Sequence, residues 1–260
     1  FGGKEEQDAF GIAYSDFGAR FYDRTAWTSI DPMAEKYYGY SPYLYCAGSP
    51  ILIVDPIGKR LFINGNELID GQLFDYSGKE IVEEDMDDFT QATYRSIKEI
   101  SKSKTGNAMI EFLQYSDFSF NIVFGAENRF NASDVRGAYA YARNENFCEH
   151  IFGSGGTIFW NDRGAKVMTT EGEMNTPAMN LAHEMAHAND ASIGLLDNTK
   201  IENVKKGEWQ AVYNENVIRQ ELGYPLRTHY LKGYDPAGNF VGYVAPLFVK
   251  RNNPIRPSWY

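Results

Sequence analysis

His183-Glu184-Met185-Ala186-His187 sets two imidazoles four residues apart with a carboxylate between them. On a helix, residues i and i+4 stand one turn apart on the same face, so both rings can reach one ion while Glu184 projects beside it. Imidazoles in this spacing are zinc ligands, and the carboxylate between them is placed to act as a base on a water. A helix is expected: Thr176 offers an N-cap hydroxyl, Pro177 suits the first helical position, and Met179, Leu181, Ala182, Met185 and Ala186 supply buried surface.

A hydrolytic zinc takes three protein ligands and leaves a fourth position to water, so a third ligand has to come from elsewhere. Asp190 lies one turn past His187, where its short side chain suits a helix-end cap or a contact to a ligand histidine. His229 and His150 sit in segments without helical patterning. The stretch from Gly207 to Gly223 reads as an amphipathic helix, with Trp209, Val212, Tyr213, Ile218 and Leu222 apolar and Gly223 as its stop. It carries Glu208 and Glu215, and seven residues span roughly 10 Å along a helix axis, too far for both to bind one ion. Small Ala211, one turn from Glu208, would let the two helices approach closely. We therefore expect Glu208 as the ligand, with Glu215, Asn216 and Arg219 supporting the site or binding substrate; Glu215, Asp190, His229 and His150 stay open as alternatives.

The elements that must position these residues read as α+β. The 260 residues are 43% hydrophobic and 23% charged, an ordinary globular composition. Asn64-Gly65 between apolar runs predicts a hairpin over Leu61 to Ile69. Met86, Phe89, Tyr94, Ile97 and Ile100 predict a helix over 86–103, and the acids from Glu83 to Asp88 suit its N-terminus. A further helix is expected after Gly106, and strands over Phe118 to Phe124 and Gly156 to Trp160. Residues 59–260 contain no 20–50-residue repeat, which excludes a solenoid or propeller. A balance of 25 Lys+Arg against 35 Asp+Glu, net −10, is the wrong sign for nucleic acid. No apolar run approaches the ~18 residues of a membrane span. The two cysteines, Cys46 and Cys148, exclude a disulfide scaffold and a cysteine-built zinc site. The chain starts at Phe1 without a leader and reads as a fragment of something longer.

Residues 1–58 are denser in aromatics and turn residues than the rest. Tyr14-Ser15-Asp16-Phe17-Gly18-Ala19-Arg20-Phe21-Tyr22-Asp23, Trp27-Thr28-Ser29-Ile30-Asp31-Pro32-Met33-Ala34-Glu35-Lys36, Ser41-Pro42-Tyr43 and Asp55-Pro56-Ile57-Gly58 closely resemble the tail of the RHS repeat-associated core. It departs from that pattern at Tyr43 to Pro50. The resemblance implies a shell of tyrosine-rich repeats upstream, a domain boundary giving 1–58 and 59–260, and a variable toxin after it. It also makes Asp55 a candidate for self-cleavage, against the plainer reading of Asp-Pro as a turn.

Thr176 to Ala188, Glu208 to Val212 and Glu215 to Arg227 are similar to effector-type zinc metallopeptidase toxins, as are Ser103 to Ala108 and Gly156 to Trp160. That resemblance covers most of 90–230 and implies His183, His187 and Glu208 as ligands and Glu184 as catalytic acid and base. The fold it implies is a small gluzincin-like α+β domain in which a strand beside the motif helix aligns the substrate; Thr157 to Trp160 is the candidate. It further implies a secreted or exported toxin tip from a bacterial precursor, acting on a protein in a target cell, with an immunity protein and the RHS shell as partners. In the expected mechanism Glu184 takes a proton from zinc-activated water and passes it to the leaving amine, while a donor stabilises the oxyanion. Tyr230, His229 and Tyr213 are the candidates for that donor, with Tyr230 preferred. Two alternatives are a zinc hydrolase of a non-peptide bond and a non-catalytic binding module of an RHS shell.

Overall fold

The computed structural model describes residues 6–9, 12–16, 21–22, 61–141, 152–234 and 240–260. The chain divides into two units, Phe1–Lys59 and Arg60–Tyr260. In the first, β1 (Glu6–Ala9), β2 (Ile12–Asp16) and β3 (Phe21–Tyr22) form an antiparallel sheet. Cys46, Asp55, Cys148 and His150 lie outside the described residues.

The second unit is mixed α+β. Its sheet opens with β4 (Leu61–Ile63), β5 (Asn66–Ile69), β6 (Gln72–Phe74) and β7 (Glu80–Ile81). Asn64 and Gly65 both take positive φ, 51° and 83°, the geometry of a type I′ turn. Asp70 and Gly71 repeat it between β5 and β6 at 47° and 81°, a second hairpin signal that the sequence reading passed over. Helices α1 (Asp88–Ile100) and α2 (Lys104–Gln114) follow. Asp87 caps α1 by accepting from Thr90 N at 2.9 Å. The start of α2 lies before Gly106, not after it: Ser103 Oγ accepts from Gly106 N at 2.8 Å. Glycine sits inside that first turn because a Cβ there would stand 2.3 Å from the Ile100 carbonyl.

Then come β8 (Phe120–Phe124), β9 (Arg129–Ala132), the short α3 (Val135–Ala138) and β10 (Gly156–Trp160). The seven strands run β7-β6-β5-β4-β8-β10-β9, with β8 parallel to both β4 and β10 and the other pairs antiparallel. β10 is therefore an inner strand, paired on both sides, and β9 is an edge among the described residues. This corrects the expectation that Thr157 to Trp160 aligns a substrate, because its backbone groups are already used.

After the hairpin β11 (Lys166–Thr169) and β12 (Gly172–Asn175), α4 (Pro177–Ser192) carries the histidine motif. Of its 16 residues, 13 are buried, so it runs through the core instead of along its surface. Small Ala178, Ala182, Ala186, Ala188 and Ala191 permit this. Trp160 Nε1 donates to Pro177 O at 3.1 Å and ties the helix start to the sheet. After the short pair β13 (Lys200–Ile201) and β14 (Val204–Lys205), α5 (Lys206–Leu222) ends on left-handed Gly223, φ 75°. It packs on α4, with Ala211 fully buried in the shared core, while Trp209 meets Phe248 at 4.8 Å. The chain closes with β15 (His229–Tyr234), β16 (Phe240–Leu247), β17 (Val249–Lys250) and β18 (Asn253–Pro254).

Gly153 sets the far end of α4 against this frame. Its φ is +97°, and a Cβ would meet Ser192 O at 2.0 Å. Gly153→Ala should therefore lose about 3 kcal/mol of stability in urea unfolding; an unchanged midpoint would mean that the end of α4 yields freely.

Candidate metal centre

α4 presents His183 and His187 one turn apart, their ring centroids 4.9 Å from each other. Glu208, in the first turn of α5, comes to both: its Oε2 lies 3.2 Å from His183 Nε2 and 3.3 Å from His187 Nε2. One ligand atom from each of the three falls within 4.8 Å of the others. Donors held in a tetrahedron by zinc bonds of about 2.0–2.1 Å stand about 3.3 Å apart, which is the spacing of the two histidine–glutamate contacts.

The charges make the same demand. His183 has a carboxylate at each ring nitrogen, Glu208 at Nε2 and Glu215 at Nδ1, the latter 3.2 Å away. A neutral imidazole donates once. Both contacts hold only if the ring is imidazolium or if a cation takes the place of the Nε2 proton. Burial by itself would lower the His183 pKa, but the two carboxylates overcome it and lift the value to about 9. Burial likewise opposes ionisation of Glu208, and the two imidazoles outweigh it, driving its carboxyl far below the usual range. A positive centre belongs between these groups, and a divalent cation fits the donor set.

Glu184, 6% exposed, and Tyr230 line the cavity of about 220 Å³ that opens at this cluster. Burial raises the Glu184 carboxyl. Burial and then the Glu208 carboxylate hold the Tyr230 phenol well above its ordinary range, so it is a neutral donor. Asn128, Arg129 and Phe130, at the edge strand, form another part of the wall.

Behind His183, Glu215 is 0% exposed. It accepts from Arg219 Nε at 2.8 Å and from Arg227 Nη1 at 3.0 Å. Burial would raise its carboxyl; the two guanidiniums prevail and keep it ionised far below the usual range. Arg219 also donates to Thr176 Oγ1 at 2.7 Å and Pro225 O at 3.2 Å. The Thr176 hydroxyl is thus engaged by Arg219, and it makes no side-chain cap on α4, contrary to the sequence reading. Asn216, fully buried, accepts from Arg227 N at 2.6 Å and donates to Arg227 O at 2.8 Å.

Asp190, Tyr213 and His229 are not among the residues that line the cavity, and His150 lies outside the described residues. Asp190 turns to Tyr260, whose hydroxyl donates to Oδ1 at 2.8 Å. Tyr213 packs edge-on against Tyr260 at 6.3 Å. His229 Nδ1 meets Thr228 Oγ1 at 2.9 Å. Sequence reasoning missed Arg227, β9 and Tyr260. Only Arg227 left a signal: the buried pair Glu215/Arg219 sits at i,i+4 on an apolar helix, with another arginine just after its glycine stop.

Two outcomes test this arrangement. Glu215→Ala would leave two buried guanidiniums without their carboxylate, and should cost about 3–5 kcal/mol in urea unfolding; a loss under about 1 kcal/mol would show that the arginines find other acceptors. Asp190 is 1% exposed, and its Oδ2 has no hydrogen-bond partner among the described residues. Burial pushes its carboxyl up to about 7. The folded state keeps a proton that the unfolded chain releases near pH ~4, so the stability tied to Asp190 is present below that pH and lost as the pH rises through about 7. Asp190→Asn, which keeps an acceptor for Tyr260, should lose less stability than the parent between about pH 5 and about pH 8. Equal losses would clear Asp190 of that role.

The family model Peptidase_M91, described as an effector protein, matches residues 77–230. Among curated proteins none matches the chain. The matched span runs from before α1 to Tyr230, takes in both helices that build the cluster, and covers well over half of the 260 residues. On that match the chain belongs to the Peptidase_M91 effector-protein family.

Proposed function

We propose that residues 59–260 are a zinc-dependent endopeptidase serving as the toxin tip of an RHS-type polymorphic toxin, with residues 1–58 as the end of the RHS core. The observation that carries this reading is the meeting of His183 Nε2 and His187 Nε2 on one Glu208 oxygen, at 3.2 and 3.3 Å. His183, His187 and Glu208 would hold the ion in a gluzincin-like arrangement. When bound, zinc supplies Lewis acidity, acidifying a water towards pKa ~7 and polarising a carbonyl.

The chain's own groups do the rest. Glu184, on the cavity beside the ligands, takes the proton of the attacking water and returns it to the leaving amine. Tyr230 donates to the oxygen that gains charge as the peptide carbonyl is attacked. Glu215, at His183 Nδ1, fixes which ring nitrogen carries the proton and leaves Nε2 to the metal. Among the described residues β9 is a sheet edge, and its Arg129 and Phe130 line the cavity, so an extended substrate can add to it through backbone hydrogen bonds. The substrate is a protein of a target cell, reached by export from the producing bacterium, and a cognate immunity protein guards the producer. No helix among the described residues is long and apolar enough to cross a membrane, and the net charge of −10 disfavours nucleic acid.

Metal analysis of the purified protein should find one zinc per chain, and Glu208→Ala, His183→Ala and His187→Ala should copurify with little. Glu184→Gln should keep zinc and fold while activity falls about 10²–10⁴-fold. Incubation with a target-cell proteome should create new protein termini with the parent and none with Glu184→Gln. A metal-free parent would favour the binding-module reading. Zinc without new termini would move the chemistry to a non-peptide bond.

A further inference from the structure

Arg227 is placed with more care than a counter-ion needs. Glu215 already has one fully buried guanidinium, Arg219, at 2.8 Å. Burying a second, with Arg227 8% exposed, adds a desolvation cost that a single carboxylate does not call for. Its main chain is clamped on both sides by Asn216, and its Nη1 is held by Glu215 at 3.0 Å. Its Nε donates to His229 O at 3.4 Å and its Nη1 also stands 3.5 Å from His183 Nδ1, so the polar edge is engaged and the flat face is left for packing. That face lies over the Tyr230 ring, with Cζ 5.0 Å from the centroid. On the same phenol, the His183 ring stands 6.4 Å away at an interplanar angle of 27°.

We infer that Arg227 is a positioning residue for Tyr230: anchored by Asn216 and Glu215, it holds the phenol ring by stacking so that the hydroxyl stays aimed into the cavity. A planar guanidinium can grip Glu215 with one edge and stack on an aromatic face, which a lysine ammonium cannot do. A ring free to turn about χ1 and χ2 would present its hydroxyl to the oxyanion only part of the time. This inference rests on Tyr230 being the oxyanion donor.

The test is a double-mutant cycle on the zinc-loaded protein, using a peptide that spans a cleavage site mapped with the parent. Tyr230→Phe should lower kcat about 10²–10³-fold. Arg227→Lys should lower kcat about 10–100-fold through misplacement, with KM and zinc content unchanged. The double variant should match Tyr230→Phe within about threefold, because Arg227 has nothing left to position. If the two losses multiply, Arg227 does not act through Tyr230 and the inference is overturned while the peptidase reading stands. If Tyr230→Phe turns over like the parent, the oxyanion role of Tyr230 falls and the inference with it, again without touching the zinc ligands. A second measurement needs no variant: in the zinc-free parent, an NMR nuclear Overhauser contact between Arg227 Nε–H and the Tyr230 ring protons is expected. Its absence would overturn the inference even where Arg227→Lys does not fold.

Discussion

Where α4 and α5 cross, a glutamate with no solvent exposure faces two guanidiniums and a histidine. An isolated carboxylate in that position would cost several kcal/mol, and the penalty is offset only when both oxygens are hydrogen-bonded. Glu215 meets this condition with three partners drawn from three places: His183 from α4, Arg219 from its own helix and Arg227 from the chain after Gly223. The requirement then spreads outward. Arg219 spends its remaining donors on Thr176 and Pro225, which ties the start of α4 and the exit of α5 to one guanidinium. Gly223 must turn in the left-handed region so that the chain can return with Arg227 at the right height. The helix bearing two candidate ligands and the helix bearing the third are thus locked in register by an ion network behind them.

Such a lock works because both helices are enclosed. α4 is lined with alanines and surrounded by the sheet and the other helices, so its histidines have few rotamers to choose from. α5 is covered on its second side by residues beyond the family match. Trp209 meets Phe248 and Trp259, with centroids 4.8 and 6.2 Å away, and Tyr260 bridges Asn214 on α5 to Asp190 on α4 through hydrogen bonds of 2.8 Å. A two-sided helix of this kind shows little amphipathic contrast. The apolar residues of Gly207 to Gly223 announce a helix, yet Trp209 and Tyr213 face the closing segment while Ala211 is buried in the core.

Legibility in the sequence followed the range of the interactions. His183, Glu184 and His187 could be read because their geometry is set within one helical turn. The Asn64-Gly65 hairpin and the Gly223 stop could be read because each depends on backbone angles of one or two residues. The closeness of Glu208 to the histidines followed from small Ala211 and the length of a helical turn. Strand order could not be read: nothing local in Gly156 to Trp160 says that β9, earlier in the chain, adds outside it and takes the edge. Thr176 looked like a cap because capping is local, and it lost that role to Arg219, 43 residues away. Arg227 left a trace, an arginine just past the glycine stop, but its role could not be read from it, since that role lies in Glu215 and Tyr230 together.

These distances in sequence bear on how the site can be ordered before any ion arrives. With protons alone, His183 already needs positive charge to stand between Glu208 and Glu215, so the three donors are drawn together by their own electrostatics. A site assembled in that way loses little conformational freedom on taking a cation, because the side chains that must be fixed are fixed already. A cation held there would take the place of the proton on His183 Nε2, while Glu215 would keep the opposite nitrogen satisfied. The buried glutamate therefore does two things through one carboxylate: it compensates two arginines in the core and holds the first histidine by Nδ1, leaving Nε2 to Glu208.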